Sequence, residues 1–160
     1  MQSEPQPEHA WLKKLIGAWT FEETWVMGQD QPPTVSAGTE TVRMLGELWV
    51  VSEARRAAID GVPADSFLTL GFDPARGRFV GTFVATMMSS LWIYEGSLDG
   101  DGRVLTLDTE GPSFTGDGTL TRYRDIITCA DADNRTLTSE ALLPDGSWFN
   151  FLTSRYRRNA

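Results

Sequence analysis

The feature that most constrains this chain is a change of period at Gly17. Before it, Leu12, Leu15 and Ile16 recur at helical spacing. After it, Trp19, Phe21, Glu23 and Trp25 share one face of an extended strand. From that glycine onward the pattern stays extended, with strand-like runs at roughly 18–27, 36–45, 47–59, 66–72, 78–87, 91–98, 103–110, 119–129, 136–143 and 148–157, about ten strands in all. The links between them are short. "FDPARGRF" sets Asp73, Pro74 and Gly77 between two apolar runs, "LDGDGRVL" sets Asp99, Gly100, Asp101 and Gly102 between two more, and "LPDGSWF" does the same with Pro144, Asp145 and Gly146. Short links join antiparallel neighbours, so the expected fold is all-β: a single up-and-down antiparallel barrel with a short N-terminal helix from His9 to Ile16. Closure removes the exposed edges that a meander of this length would otherwise carry. A two-sheet sandwich is the alternative.

The 160 residues suit one domain with a substantial core, expected over 9–160 behind a loose, proline-rich lead-in over 1–8. A net charge of -8 argues against nucleic acid and anionic membrane surfaces as partners, since Arg155, Arg157 and Arg158 form the only dense basic run. Cys129 is the only cysteine, which excludes an intrachain disulfide or a thiolate metal cluster and is compatible with a reducing compartment. The start, "MQSEPQPEHAWLKKL", lacks the basic and apolar regions of a signal peptide, and no run approaches about twenty apolar residues, so a soluble cytoplasmic protein is expected.

Parity sorts side chains between the inside and outside of such a barrel. In "ELWVVSEARRAAI" one face carries Trp49, Val51, Glu53, Arg55, Ala57 and Ile59, and the other Leu48, Val50, Ser52, Ala54, Arg56 and Ala58; the first is bulkier and is assigned to the interior. In "RFVGTFVATMM" Phe79, Gly81, Phe83, Ala85 and Met87 share a face on which the small residues leave volume to be filled.

These residues resemble a bacterial lipocalin-like family catalogued as domain-of-unknown-function 1579. His9, Leu12, Gly17 and Trp19 look like its H-x-x-L then G-x-W opening. "LGFDPARGRFVGTFV", "YEGSLDGDGRVLTL" with Glu95 and Gly96, and a terminal "SRYRR" around Tyr156 and Arg157 continue the match. The resemblance implies a small calycin-type antiparallel barrel and no established activity. It also suggests that Trp19 lies near the closed end and stacks against Arg155 or Arg157. Family members often place a Trp and an Asp before the Met-Ser of the mid-chain strand, where this chain has Phe83 and Ala85 ahead of Thr86, Met87 and Met88. A function carried by that Asp is here lost or relocated. Nitrobindin, a haem-binding small barrel, uses a C-terminal histidine as iron ligand, and "DGSWFNFLTSRY" contains none, which disfavours haem bound in that manner.

The chemistry-bearing residues are few. His9 is the only histidine, at a helix start beside Trp11, where capping or packing is the ordinary role. A zinc or iron site would need further nitrogen or sulfur ligands, and no G-x-S-x-G elbow is present, so neither a metal nor any other cofactor is expected. Glu23, Glu53, Glu95 and Glu140 lie near strand centres with Arg55, Arg122 and Arg124 as counter-charges. They read either as exposed or register-setting ion pairs, or as a polar floor of Glu53 with Arg55 and Glu95 with Arg124 beneath a bound molecule. Trp25, Trp49, Phe83, Met87, Trp92 and Tyr123 are the candidate apolar lining. A barrel of about eight strands is just filled by its own side chains, so ten leave more room. The expected function is non-covalent binding of a small, mainly apolar or amphipathic molecule with a polar end that Arg55 or Arg124 meets. The rivals are an isomerase or hydrolase using an interior glutamate, with Tyr123 or an arginine as partner, and a homodimer with a filled barrel.

Overall fold

The computed structural model describes residues 1–28 and 30–160. A helix, α1 (Pro7–Leu12), runs into one 3-10 turn at Lys13–Leu15. The strands follow as β1 (Gly17–Trp25), β2 (Thr34–Leu45), β3 (Trp49–Arg56), β4 (Ser66–Asp73), β5 (Arg78–Ala85), β6 (Trp92–Leu98), β7 (Val104–Pro112), β8 (Leu120–Cys129), β9 (Asn134–Leu142) and β10 (Trp148–Arg158). Every strand pairs antiparallel with its sequence neighbours, and β1 pairs with β10, so the sheet closes as an up-and-down barrel without a free edge. No helix among the described residues is long and apolar enough to cross a membrane.

The helix begins at Pro7, two residues ahead of the expected His9, because proline suits the first helical position. His9 closes its first turn: Nδ1 accepts from the Gln6 amide at 2.8 Å, and Nε2 lies 3.1 Å from the Phe72 carbonyl oxygen. Those two contacts define the Nε2–H tautomer, and the imidazole is structural. Trp11, Leu12 and Leu15 are buried against the barrel, with Trp11 Nε1 donating to the Gly102 carbonyl at 2.6 Å. One end of the barrel is thereby stoppered. Gly17, at φ +137°, lets the chain swing from the stopper into β1, and a Cβ there would overlap the Arg158 guanidinium.

Trp19 sits at this closed end as expected, but its cationic partners are Arg158, 4.2 Å from the ring centroid, and Arg135, at 4.6 Å. Arg155 and Arg157 are excluded by parity: Tyr156 is buried, so its two neighbours on β10 point outward, and Arg158 returns to the inner side.

The interior face of β3 is the reverse of the one assigned from bulk. Phe21 on β1 is buried and lies opposite Gly38; Gly38 lies opposite Arg56, and Glu40 opposite Ala54. Directly paired residues point to the same side, so Val50, Ser52, Ala54 and Arg56 face inward. Trp49, Glu53 and Arg55 therefore face outward. The Trp49 indole, still 39% exposed, lies across Gly71, its partner on β4, where a Cβ would overlap the ring. Bulk misled because a glycine on the outer surface had made room for it. At β5 the expected face does point inward, and the volume beside Gly81 is filled by Leu70.

Candidate functional site

Above the stopper and the packed layer of Trp19, Leu70, Phe79 and Leu105, the barrel encloses a cavity of about 620 Å³. Its mouth lies at the end away from α1, where Ile59, Met87, Met88 and Phe114 on the connections between strands are all exposed. Leu68, Phe83, Leu107, Ile127, Leu137 and Leu152 supply much of the apolar wall. A bulge in β10 between Asn150 and Leu152 inserts Phe151, so that Phe151 and Leu152 both line the cavity. Near the mouth, aromatic rings meet edge to face: Trp92 with Tyr123 at 5.2 Å, Phe114 with Phe151 at 4.9 Å, and Tyr123 with Phe151 at 6.0 Å.

Two buried carboxyl groups, Glu23 and Glu40, and the half-buried Asp125 stand in this wall. Glu23 is 0% exposed and receives four hydrogen bonds: Arg56 Nε at 2.7 Å and Ser36 Oγ at 3.3 Å on Oε1, and Arg56 Nη2 at 3.0 Å and Ser154 Oγ at 3.1 Å on Oε2. Its acceptor capacity is used up. Burial alone would lower the Arg56 pKa, but the hydrogen bonds and charge of Glu23 outweigh it and hold the guanidinium above its ordinary value. Glu40 is paired with Arg135 and accepts from Ser52 Oγ, and the Arg135 guanidinium lies 3.8 Å from the Tyr156 ring centroid. Burial pushes the Tyr156 phenol far up, aided by the Glu40 charge.

Asp125 is different. It accepts from Tyr94 Oη on Oδ2 and from Ser139 Oγ at 2.6 Å on Oδ1, both neutral groups, and among the described residues no cation bonds it. It is half-buried and lines the cavity. Burial raises its pKa, and the two hydrogen bonds only partly oppose that; burial and the adjacent Asp125 charge together push the Tyr94 phenol well up. Among the described residues, three buried donors on cavity-lining side chains have no hydrogen-bond partner: Trp92 Nε1, Thr109 Oγ1 and Arg135 Nε.

Trp25, Phe83, Met87, Trp92 and Tyr123 all line the cavity. Trp49, Glu53, Arg55, Glu95 and Arg124 do not. Glu53 and Arg55 pair with one another on the outer surface at 2.9 Å. The expected Glu95–Arg124 pair is absent: Glu95 is bound by Arg76, and Arg124 binds Glu140 while stacking over Trp148 at 4.1 Å. Strand register accounts for this, since Glu95 and Arg124 both face Asp108 of β7 on the outside of the barrel. The residues missed, above all Glu40, Arg56, Tyr94, Asp125, Arg135 and Ser139, carried a usable signal. Parity counted from Phe21 and Glu23, strand by strand through the hairpins, reaches Glu40 and Arg56. Cys129 is half-buried, and burial raises its thiol pKa, as befits a packing residue. Among the described residues no group of three His, Cys, Asp or Glu side chains is placed to hold a metal ion.

The sequence matches the family described as "Protein of unknown function (DUF1579)" over residues 4–158. The chain belongs to that family. No curated protein matches this DUF1579 member. Among solved structures, Rv2717c from M. tuberculosis is similar in fold, with a TM-score of 0.62 at 16% identity, covering 98% of this chain and 100% of that one. A redesigned β-barrel, mFAP0, bound to DFHBI, gives a TM-score of 0.49 at 15% identity over 91% of this chain and 99% of its own.

Proposed function

We propose that this DUF1579 protein binds a small, mainly apolar molecule non-covalently inside the barrel. The observation that carries this reading is the cavity of about 620 Å³, walled by aliphatic and aromatic side chains, with its mouth among exposed apolar residues. That volume falls in the range of small-molecule sites, and a few convergent polar groups on an apolar wall are what such sites use for orientation. The arrangement favours binding over catalysis by a glutamate: Glu23 is saturated and Glu40 is engaged by a guanidinium and a hydroxyl, so neither offers a free base. A cytoplasmic setting belongs to the same proposal, supported by the lone half-buried cysteine and by outward charges such as Glu22, Glu53, Arg122 and Arg155 along the wall.

Titration with the neutral fluorophore N-phenyl-1-naphthylamine tests it. One saturable equivalent per chain is expected, and Leu137→Trp, which places an indole in the cavity, should abolish uptake while leaving the circular dichroism of the fold unchanged. Equal uptake by Leu137→Trp and wild type would refute an internal site.

A further inference from the structure

The charges around the cavity are unequal in sign, and their balance specifies the polar end of what is bound. The charged side chains of the lining are Glu23, Glu40, Arg56, Asp65, Asp125 and Arg135. Both arginines are committed, Arg56 to Glu23 and Arg135 to Glu40. A ligand carboxylate would find these cations already neutralised, and displacing either glutamate would leave a buried charge unpaired. Asp65 and Asp125 have no ion-pair partner among the described residues, so the lining carries an excess of negative charge. The unpartnered donors do not alter that balance: Trp92 Nε1, Thr109 Oγ1 and Arg135 Nε have essentially no accessible surface, and the charge of Arg135 is met by Glu40.

The mouth repeats the same sign. Its strand connections, 26–33, 57–65, 86–91, 113–119 and 143–147, carry Asp30, Asp60, Asp65, Asp117 and Asp145 and no lysine, arginine or histidine. A rim bearing one sign of charge concentrates the opposite sign at the opening. Asp125 lies inward of that rim, two residues along β8 from Tyr123 and on the same face. Tyr123 meets Trp92, Phe114 and Phe151 edge to face, and the faces of such rings attract cations. A carboxylate offers about four acceptor positions, and Tyr94 and Ser139 take two of those on Asp125. Burial raises the Asp125 pKa, and a cation alongside would favour its ionised form.

Resting on the reading that the cavity is a binding site, we propose that it selects organic cations: mainly apolar molecules ending in a protonated amine, whose ammonium is drawn in by the aspartates of the mouth, passes the aromatic cluster and pairs with Asp125. The apolar body fills the aliphatic wall, and an anionic end is repelled at the mouth and finds no free cation inside.

Three probes that share one ring system, 2-(aminomethyl)naphthalene, 2-(hydroxymethyl)naphthalene and 2-naphthoate, are titrated into the full chain at about pH 7.5, where the amine is protonated. Wild type should bind the ammonium about tenfold more tightly than the alcohol, the margin of a hydrogen bond to a charged group over a neutral one, and the carboxylate more weakly than either. Asp125→Asn should remove most of the ammonium's advantage and leave alcohol affinity unchanged. Asp60→Asn combined with Asp117→Asn, at two exposed mouth positions, should slow ammonium association and leave that of the alcohol alone. Equal binding of ammonium and alcohol, or tightest binding of the carboxylate, overturns this inference while leaving an apolar site intact. An ammonium advantage that survives in folded Asp125→Asn overturns it likewise. Failure of every probe to bind overturns both readings. The wild-type comparison decides the matter even if a variant does not fold.

Discussion

Glu23 and Glu53 carry the same side chain and an arginine partner each, yet burial separates them completely. Removing Glu23 leaves the Arg56 guanidinium in the barrel wall without its counter-charge, and breaking a buried pair from one side costs about 3–5 kcal/mol. Glu23→Ala should therefore lower the urea midpoint markedly, whereas Glu53→Ala, which breaks a solvent-exposed pair, should leave it within experimental scatter. Asp125 behaves in the opposite sense with pH. Its folded-state pKa is raised, so the folded chain keeps a proton that the unfolded chain releases near ~3.9. That contribution is complete below about pH 4 and is lost as pH rises toward the folded value. Asp125→Asn removes this contribution, and the stability of the variant relative to wild type should rise as pH climbs above about 4; a pH-independent difference would contradict the assignment. The phenols give a further check. All three tyrosines, Tyr94, Tyr123 and Tyr156, are shifted upward by burial. Phenolate absorbance at pH ~10 should stay below the half ionisation of free tyrosine, and the share of Tyr94 and Tyr156 should appear only with alkaline unfolding.

At the scale of elements, glycine and aromatic residues pair across strands to set how closely the wall packs. Trp92 on β6 lies over Gly111 on β7 inside the barrel, as Trp49 lies over Gly71 outside it. Gly111→Ala would drive a methyl group into the indole, at a cost of about 1–3 kcal/mol, and should shift Trp92 into the cavity, with reduced probe uptake and altered tryptophan emission as readouts. The stopper helix is held by burial more than by its own six residues, too few to be stable alone. Trp11→Ala should cost about 3–5 kcal/mol in chemical denaturation through lost packing, with the freed Gly102 carbonyl adding to the loss. Both elements were readable from the chain, the helix from its period and the strands from alternation. The partner that each aromatic residue covers was not, because a cross-strand neighbour can lie far along the sequence.

For the whole molecule, the stoppered end and the open end divide the labour: one supplies packing, the other access. A molecule that binds only the folded chain stabilises it by about 2.7 kcal/mol at a hundredfold excess over Kd, so thermal unfolding should shift upward with a bound probe and not shift in Leu137→Trp. The amino-acid sequence by itself determined the ten extended segments, the helix ahead of them and the antiparallel pairing of successive strands, since period and turn chemistry are local and short links leave sequence neighbours as partners; the pairing of β1 with β10, which closes a barrel and rules out the sandwich, came from the tertiary structure. The sequence also placed Trp25, Phe83, Met87, Trp92 and Tyr123 on faces that line the cavity. Only the tertiary structure decided which face of β3 turns inward, that Glu23 and Glu40 rather than Glu53 and Glu95 are buried, and that Asp125 lies without a counter-charge. Alternation states which side chains share a face but not which face is inside. That choice follows from register with neighbouring strands, carried from one pair to the next around a closed ring.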